Sequence, residues 1–442
     1  MFILRSRRIV TPDGLRDAAV VINDGRISDV INPDAIPSGA DIEDVGELVV
    51  APGLVDPHVH INEPGRTEWE GFATATQSAA AGGITAVVDM PLNNSPVTTT
   101  VEAFEKKLAA AKGKLHVDCG FHAGLVPDNA SLMEPLFRSG VLGVKAFLID
   151  SGIDEFPPTS EENLRTAMPA IAEAGLPLLV HAELQTLPFQ AVPQYARSYA
   201  AYLNSRPRQW ENNAIAMLIR LSEEFGCRVH IVHLSSSEAV SMLRKAKLRG
   251  VKITAETCPH YLFFSAEEIP EGATQFKCAP PIRERENNEK LWEALRDGII
   301  DFIASDHSPC PPEMKLMETG DFMNAWGGIA SLQFSMSIMW TEMRRRGFSI
   351  SDISRLMSAR PAALVGLERR KGKIAPTYDA DLVVWNPEES FTVEPSLIHH
   401  RHKMTPYEGR ILYGKVKATY VRGIRVFDDG KFSTAAGRIL TR

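Results

Sequence analysis

Two histidines, His58 and His60, end a short apolar run and come directly before a polar loop that contains glycine and proline. Residues two apart in a β-strand point to the same side, so a strand here would aim both imidazoles at the space beyond its end. Neutral imidazole is a common zinc ligand. A His-x-His pair alone is more often an ordinary polar strand end, because short motifs also match by chance. Residues further along the chain therefore decide between a metal site and a strand terminus.

Further residues of ligand type lie at the ends of later apolar runs. These are Lys145, His181, His233 and Asp306. In a barrel of parallel strands the chemistry lies at the C-terminal ends of the strands, so these side chains would converge with the two histidines. Chance would supply one or two such placements but hardly all of them. The pattern therefore favours a metal site.

The ligand types narrow the choice of metal. Several histidines and an aspartate suit zinc or a similar first-row divalent ion, whereas magnesium and calcium prefer oxygen ligands. Lys145 does not fit this set as a cation, and in its ordinary role it would form a salt bridge or contact a phosphate. A lysine kept neutral by burial could instead react with carbon dioxide, giving a carbamate whose oxygens bridge two cations. The residues alone leave both roles open.

Five other histidines are not expected to bind the metal. His230 lies three residues before His233, so we expect it to face the other side of the strand and to sit deeper. His122, at the end of the third apolar run, is expected to be a hydrogen-bonded core residue. Three more are in a charged loop outside the barrel and are expected on a solvated face: His399, His400 and His402.

Polar residues after the second and seventh apolar runs are candidates for substrate contacts. Asn93 and the pair Cys278-Ala279 could hydrogen-bond a substrate or serve in ordinary turns, where asparagine and proline are common. His260 could line the pocket or orient a neighbouring side chain. Ser308 and Cys310 are expected to pack or cap, since a Cys310 nucleophile would have no evident partner base.

The elements that must position these side chains alternate through the middle of the chain. Apolar runs rich in β-branched residues are separated by helical patterns, which indicates a parallel sheet covered on both faces. The predicted fold is an α/β (β/α)8 TIM-like barrel, with a doubly wound open sheet as the alternative. The apolar runs are 54–60, 84–90, 117–123, 143–148, 177–182, 229–234, 251–256 and 300–306. The main helical patterns are 69–81, 101–111, 161–174, 212–225, 236–249 and 287–296. Residues 184–210 exceed a typical connection and are expected to form an excursion over the site.

Both ends of the chain read as β-strands instead. The pair Asp24-Gly25 is a strong signal for a two-residue hairpin, and the C-terminal part contains the β-rich run DLVVW. We therefore expect a small, discontinuous β-sandwich domain from residues 1–51 and 372–442. The metal-dependent hydrolase barrel would then comprise residues 52–371.

Composition excludes several classes of function. The chain has 442 residues and a net charge of −7, which disfavours binding to nucleic acid or an anionic membrane. No apolar run approaches the ~20 residues of a membrane span, and arginines in the first ten residues disfavour a signal peptide. Five scattered cysteines without a Cys-x-x-Cys motif fit a reducing cytoplasm rather than a disulfide framework.

Several stretches resemble the amidohydrolase superfamily in its cyclic-amidase branch, which comprises dihydroorotases, hydantoinases and allantoinases. The resemblance covers most of the chain, including both β-rich ends, and is closest to the allantoinases. The stretches are HVHINEPGRTEWEGF, DMPLNNSP, GVKAF, VHAE, VHLSS, ETCPHYLFF, KCAPPIRERE, SDHSPCPPEMK and AWGGIASLQ.

The resemblance implies two divalent metal ions per subunit, with zinc foremost and cobalt, manganese or iron as alternatives. It also implies a small-molecule substrate, allantoin, and a cytoplasmic homotetramer. Neither a nucleic acid nor a membrane partner is expected. The implied ligands are His58, His60, Lys145 carbamylated to N6-carboxylysine, His181, His233 and Asp306.

The implied activity is hydrolysis of the hydantoin ring amide of (S)-allantoin to allantoate in purine catabolism. The ions would lower the pKa of the attacking water from ~15.7 toward ~7. Asp306 would take the proton of this water as general base and deliver it to the departing ring nitrogen as general acid. The alternatives are hydantoinase, dihydropyrimidinase or dihydroorotase activity, and a metal-free structural relative, which the six filled ligand positions argue against.

One position separates these relatives. Where dihydroorotases carry an arginine that grips the substrate carboxylate, this chain has Asn62. A site without a guanidinium fork binds a carboxylate poorly, so Asn62 suits a neutral ring that bears a ureido group. Arg66 is close enough in sequence to compensate. Typical hydantoinases lack the run Glu63-Pro64-Gly65-Arg66, which also favours the allantoinases.

Overall fold

The strands form two sheets, which correspond to the β-rich ends and the alternating middle of the sequence. The computed structural model describes residues 1–186 and 193–442. Within them one sheet has nine strands, and the other has eight parallel strands in chain order. The strands are β1 (Phe2–Thr11), β2 (Gly14–Asn23), β3 (Arg26–Ile31), β4 (Ile42–Asp44), β5 (Val49–Pro52), β6 (Leu54–Val59), β7 (Ile84–Asp89), β8 (Asp118–Gly124), β9 (Gly143–Phe147), β10 (Pro177–His181), β11 (Arg228–Ile231), β12 (Ile253–Thr257), β13 (Phe302–Ile303), β14 (Leu382–Thr392), β15 (Ile411–Val421), β16 (Ile424–Asp428) and β17 (Lys431–Phe432).

The parallel sheet closes on itself where the chain leaves β13. Val59 in β6 forms a parallel bridge with His307, and the backbone N–H of His60 donates to the His307 carbonyl at 2.9 Å. The Asp56 carboxylate adds a second tie, because it accepts from the backbone N–H of Ser305 at 3.1 Å. The predicted (β/α)8 barrel is therefore confirmed, and the alternative of an open, doubly wound sheet is wrong.

Helices cover the barrel at or near the predicted positions. The N-cap of α4 is Ser160, which forms a capping box with Asn163 in the first turn of the helix. The C-cap is Gly175, whose φ of 66° is left-handed. No helix in the described ranges is long and apolar enough to cross a bilayer. The helices are α1 (Phe72–Ala81), α2 (Val101–Ala111), α3 (Met133–Arg138), α4 (Glu161–Ala174), α5 (Tyr199–Ser205), α6 (Arg208–Phe225), α7 (Val240–Leu248), α8 (Pro259–Phe263), α9 (Arg285–Arg296), α10 (Ser335–Arg345), α11 (Ile350–Ser354) and α12 (Arg360–Leu364).

Two predicted elements differ from the observed ones. The run 300–306 is a strand only at Phe302–Ile303, because the backbone then turns and Asp306 takes a positive φ of 46°. The predicted excursion at 184–210 includes residues 187–192, which lie outside the described residues. Its remaining part contains α5 and contributes Tyr202, Arg206 and Trp210 to the lining of the central cavity.

The nine-stranded sheet joins the two ends of the chain and forms the small β-sandwich domain. N-terminal β5 pairs antiparallel with C-terminal β14. On its other side β5 pairs parallel with β1, which forms an antiparallel hairpin with β2. Its interior contains alternating apolar residues such as Leu4, Val20 and Leu382, all fully buried. The boundaries 1–51, 372–442 and 52–371 stay a prediction.

A buried cluster of charges ties the barrel to this sheet. The ammonium of Lys371 lies 2.8 Å from a carboxylate oxygen of Asp118 in β8, 2.5 Å from Asp381 and 3.2 Å from Asp379. Arg422 at the end of β15 binds the same Asp118 carboxylate. Although burial acts in the opposite direction, the three carboxylates raise the pKa of Lys371 above its usual value. The lysine therefore remains charged and neutralises part of the negative charge of the three carboxylates.

Replacing Lys371 with methionine is expected to destabilise the protein by about 3–5 kcal/mol, because it leaves buried carboxylates without their cation. Urea denaturation followed by circular dichroism measures the change. Lys373→Met is the matched control, since this lysine lies two residues away and is exposed. A Lys371→Met variant within about 1 kcal/mol of the wild type would contradict the role of the cluster.

Candidate metal centre and active-site cavity

A cavity of about 610 Å³ lies at the C-terminal ends of the barrel strands. The side chains that the sequence analysis singled out as ligands all line it, although they come from five different strands or the turns after them. This convergence follows from the closed barrel, which brings the ends of all its strands to one face. The six are His58, His60, Lys145, His181, His233 and Asp306.

Three of these side chains form a compact group. Nitrogen atoms of His58 and His60 and a carboxylate oxygen of Asp306 all lie within 4.8 Å of one another. The distance from Asp306 Oδ1 is 3.2 Å to His58 Nε2 and 3.4 Å to His60 Nε2. Two nitrogens and one oxygen facing one point are a suitable donor set for a divalent ion.

The other three side chains lie beside this group. The rings of His181 and His233 are 4.6 Å apart, and the ring of His233 is 5.5 Å from that of His58. Lys145 Nζ lies 4.8 Å from the centre of the Phe147 ring. His233 and Asp306 both have positive φ values, 40° and 46°, a strained conformation that recurs at functional sites.

The protonation states suit metal binding. Burial lowers the pKa of His60 to about 4, lowers that of His233 well below the usual value, and lowers the pKa of Lys145 to about 8. His60 and His233 are therefore neutral at neutral pH, as a metal ligand must be. Among the six candidate ligands, three buried nitrogens have no hydrogen-bond partner in the described part of the chain: His58 Nε2, Lys145 Nζ and His233 Nδ1. Buried polar atoms are rarely left unpaired, so these atoms fit a bound ion.

Two buried glutamates that the sequence analysis missed orient the histidines. Glu256 accepts a hydrogen bond from His58 Nδ1, which directs Nε2 of that ring into the cavity. Glu183 accepts from His181 Nε2 at 2.7 Å and also binds Arg206. Carboxylates that hold metal-binding histidines in this way fix the ring orientation and raise ligand basicity. A signal was present in the sequence, since Glu183 in VHAE follows β10 and Glu256 in ETCPH lies near the end of β12.

The role of His230 follows from the same contact. Its Nε2 donates to Glu256 Oε2 at 3.0 Å, so His230 is buried and lies deeper than His233, as predicted. His230 does not belong to the lining of the cavity, but Glu256 joins its ring to that of His58.

Replacing Glu256 with glutamine should weaken metal binding by about 10- to 100-fold, because an amide no longer fixes the orientation and basicity of His58. Residual metal after dialysis against graded chelator concentrations measures this. Glu293→Gln, at an exposed position in α9, is the control and should keep its metal. Unchanged metal retention in Glu256→Gln would show that His58 is held by other contacts.

The structure places the predicted substrate-contact residues at different depths. Asn93 and Ala279 line the cavity, and the Asn93 amide lies 3.4 Å from His60 Nδ1. Asn62 is fully buried and donates to the Pro309 carbonyl at 3.3 Å. Cys278 is also buried, and its carbonyl accepts from the Tyr202 hydroxyl. Their roles toward a substrate stay predictions.

Arg66 is engaged elsewhere. Its guanidinium binds both carboxylate oxygens of Glu155 at 3.1 Å and the Asn93 carbonyl at 3.2 Å. These contacts join the loops that follow β6, β7 and β9. Arg66 is therefore part of the rim of the site and is not free to replace a carboxylate-binding arginine at position 62.

The structure also shows the surroundings of His122 and His260, for which the sequence predicted a core position and an open role, respectively. His122 is a core residue whose Nε2 donates to the Pro57 carbonyl at 3.0 Å. His260 is fully buried beside Cys258 and Asp306, and neither ring nitrogen has a hydrogen-bond partner among the described residues.

Ser308 Oγ donates to Asp306 Oδ1 at 3.2 Å, so it contacts a predicted ligand. Burial raises the pKa of the Cys310 thiol, which fits packing rather than nucleophilic chemistry.

The prediction of a solvated face at His399, His400 and His402 is wrong for His400. This residue is fully buried, and its ring packs 5.5 Å from His307, the residue after Asp306. His402 Nε2 donates to the Glu68 carbonyl at 2.7 Å. The charged composition of this loop concealed its contacts, because they form only when the loop packs on the barrel.

Known proteins resemble this chain over its whole length. A sequence profile described as "Amidohydrolase family" matches residues 49–426. An allantoinase of Streptomyces avermitilis is 50% identical over 445 residues, covering 100% of this chain and 98% of that protein. An allantoinase of Arabidopsis thaliana is 47% identical and covers 98% and 89% of the two chains. Among solved structures, the L-hydantoinase (dihydropyrimidinase) from Arthrobacter aurescens has a TM-score of 0.92 at 31% identity, covering 100% and 99%.

Proposed function

The chain belongs to the amidohydrolase family, and from this premise we propose that it hydrolyses the ring amide of (S)-allantoin to give allantoate. The observation that carries the proposal is the convergence of four histidines, one lysine and one aspartate on a single cavity. This donor set occurs in a chain whose full-length relatives are named allantoinases. The reaction opens the ring, so that the ring carbonyl becomes a carboxylate and the departing nitrogen becomes the NH2 of a ureido group. The site must therefore polarise one carbonyl and transfer one proton from water to that nitrogen.

We propose that two divalent ions, foremost zinc, occupy the site. His58, His60 and Asp306 would hold one side, His181 and His233 the other, and Lys145 as its carbamate would bridge them. A lysine with a pKa of about 8 has enough neutral amine at neutral pH to react with carbon dioxide. When bound, the ions supply Lewis acidity that polarises the ring carbonyl and lowers the pKa of the attacking water.

Asp306 is proposed to move the proton. Its Oδ1 lies beside His58 and His60 and accepts from Ser308 Oγ, so the carboxylate is held in one orientation. Burial would raise the pKa of Asp306, but the neighbouring imidazoles lower it well below its usual value. The ionised carboxylate takes the proton from water and then donates it to the departing ring nitrogen.

The lining of the cavity supports a neutral substrate. Position 62 is an asparagine, Arg66 is bound to Glu155, and Arg206 is bound to Glu183. Both guanidinium groups are thus engaged by protein carboxylates, which disfavours a carboxylate-bearing ring such as dihydroorotate. Hydantoinase activity is the second candidate, because a solved L-hydantoinase shares the fold at full length.

A substrate panel tests the proposal. Metal-reconstituted protein is assayed with allantoin, dihydroorotate, dihydrouracil and unsubstituted hydantoin, and the substrates are compared by kcat/KM. Allantoin is expected to exceed each of the others by about a hundredfold or more. A higher kcat/KM for another ring would overturn the assignment, and a purified protein without metal or turnover would support a structural role.

The cellular location and the oligomeric state of the enzyme are also proposed. All five cysteines are buried and unpaired, which supports a cytoplasmic location. We propose a homotetramer, in line with the family resemblance. Light scattering coupled to size-exclusion chromatography measures the assembly, and a monomeric mass would refute it.

A further inference from the structure

One side of the cavity is formed by residues 323–328, the wall segment, every residue of which lines the cavity. The ammonium of Lys277 forms hydrogen bonds to this segment on the side of the cavity. It donates to the Met323 carbonyl at 2.9 Å and to the Ala325 carbonyl at 2.5 Å. Lys277 itself lines the cavity and is only 8% exposed.

A second lysine, which does not line the active-site cavity, also forms hydrogen bonds to the wall segment. The ammonium of Lys315 donates to the Trp326 carbonyl at 3.0 Å and to the Gly328 carbonyl at 2.5 Å. Lys315 borders a separate, water-sized cavity of about 10 Å³. The two lysines thus make the same kind of contact with one segment, but Lys277 faces the active-site cavity.

Among the described residues Lys277 has no paired carboxylate, and its ammonium lies 5.2 Å from the centre of the Tyr202 ring. Its hydrogen bonds within the described residues go to carbonyl oxygens, which an uncharged amide side chain would bind equally well. Burial, together with the charges of Lys315 and Arg206, lowers the pKa of Lys277 to about 7. A desolvated cation without a paired carboxylate is unfavourable. An ammonium also carries three N–H donors, and the wall segment uses two of them.

We propose that Lys277 is a specificity-determining residue that donates its third N–H to the carbonyl oxygen of a ureido group carried by the substrate ring. This inference rests on the proposed function, in which the ring itself lies at the metal ligands. Lys277 is on the wall rather than among those ligands, so it meets the ring substituent. The carbonyls of Met323 and Ala325 each keep a free lone pair and would accept from the N–H groups of the same substituent.

This arrangement favours a ureido group over a carboxylate. A ureido group presents one acceptor oxygen and several N–H donors, which complements an ammonium flanked by carbonyls. A carboxylate would also bind the ammonium, but its second oxygen would face the carbonyl oxygens of the wall segment and be repelled. The wall therefore selects for a neutral group that both accepts and donates hydrogen bonds.

The test compares a ring that carries the ureido group with one that lacks it. Lys277→Met is assayed with allantoin and with unsubstituted hydantoin, the latter as substrate or as competitive inhibitor of allantoin turnover. We expect KM for allantoin to rise about 10- to 100-fold, as for loss of a hydrogen bond to a charged donor, with kcat changed little. The constant for hydantoin should change less than about threefold, and metal content should not change. Lys277→Arg should recover part of the lost affinity, since it keeps a charged donor.

Lys315→Met is the matched control, because it removes the same kind of wall contact without removing a donor from the cavity. The Lys315 ammonium also donates to the backbone carbonyl of Lys277 at 3.3 Å, so its effect passes through the backbone of the wall segment and of Lys277 and should be equal for allantoin and hydantoin. Equal losses for both compounds in Lys277→Met would reduce Lys277 to a support of the wall and overturn the proposal. Unchanged constants, or a selective loss of dihydroorotate binding, would also overturn it. Failure of the wild type to hydrolyse allantoin would refute the proposed function separately, and calorimetric binding of allantoin and hydantoin to the variants would still test Lys277.

Discussion

Asp306→Asn is expected to lower kcat by about three orders of magnitude, within the 10²- to 10⁴-fold range of general acid–base catalysis. An amide of the same shape can still contact His58 and His60, which lie 3.2 and 3.4 Å from the present carboxylate oxygen. It cannot accept the proton of the attacking water. Steady-state turnover of allantoin by metal-reconstituted protein, with metal content measured on the same sample, gives the result.

A matched control separates the proton relay from the general charge of the cavity. Asp150 also lines the cavity but lies on an exposed turn after β9, away from the histidines. Asp150→Asn should retain kcat within about threefold. Turnover near the wild-type level in a folded, metal-loaded Asp306→Asn variant would exclude Asp306 as the base, and another group would then have to take the proton.

The sequence predicted the barrel well because the signal for a buried parallel strand is local. Strands such as β7 and β10 consist entirely of buried residues, so their apolar runs are almost uninterrupted. The helices α2 and α4 have the predicted bounds because caps at Thr100 and Ser160 mark where they begin. The eighth strand was predicted too long, because the turn at Asp306 depends on contacts with β6 that lie far away in sequence.

The candidate ligands could be predicted for a similar reason, since each lies at a strand end and the barrel topology alone brings strand ends together. Their orientation could not be predicted. Glu256 contacts His58 across 198 positions, and no local pattern reports such a pair. The burial of His400 and the position of Lys277 against the wall segment also depend on loop packing between distant parts of the chain.

Lys145→Ala is expected to lose about one of two bound ions, because the proposed carbamate is the only bridging ligand in the set. The side chain is fully buried, and its Nζ has no hydrogen-bond partner in the described part of the chain. Lys145 lines the cavity, so a group added to Nζ would lie within it, and truncation removes the contact of Nζ with the Phe147 ring but no hydrogen bond. Elemental analysis of the purified variant measures the metal, and the wild type should contain about two ions per chain.

Rescue by small molecules distinguishes a bridging role from a packing role. Formate, acetate or propionate can place a carboxylate where the carbamate would be, so adding one of them should restore part of the metal content and turnover of Lys145→Ala. Wild-type protein incubated with ¹³C-labelled bicarbonate should show a carbamate signal by NMR that the variant lacks. Two ions per chain in Lys145→Ala without any added acid would contradict the bridge, because the histidines and Asp306 would then suffice to hold both ions.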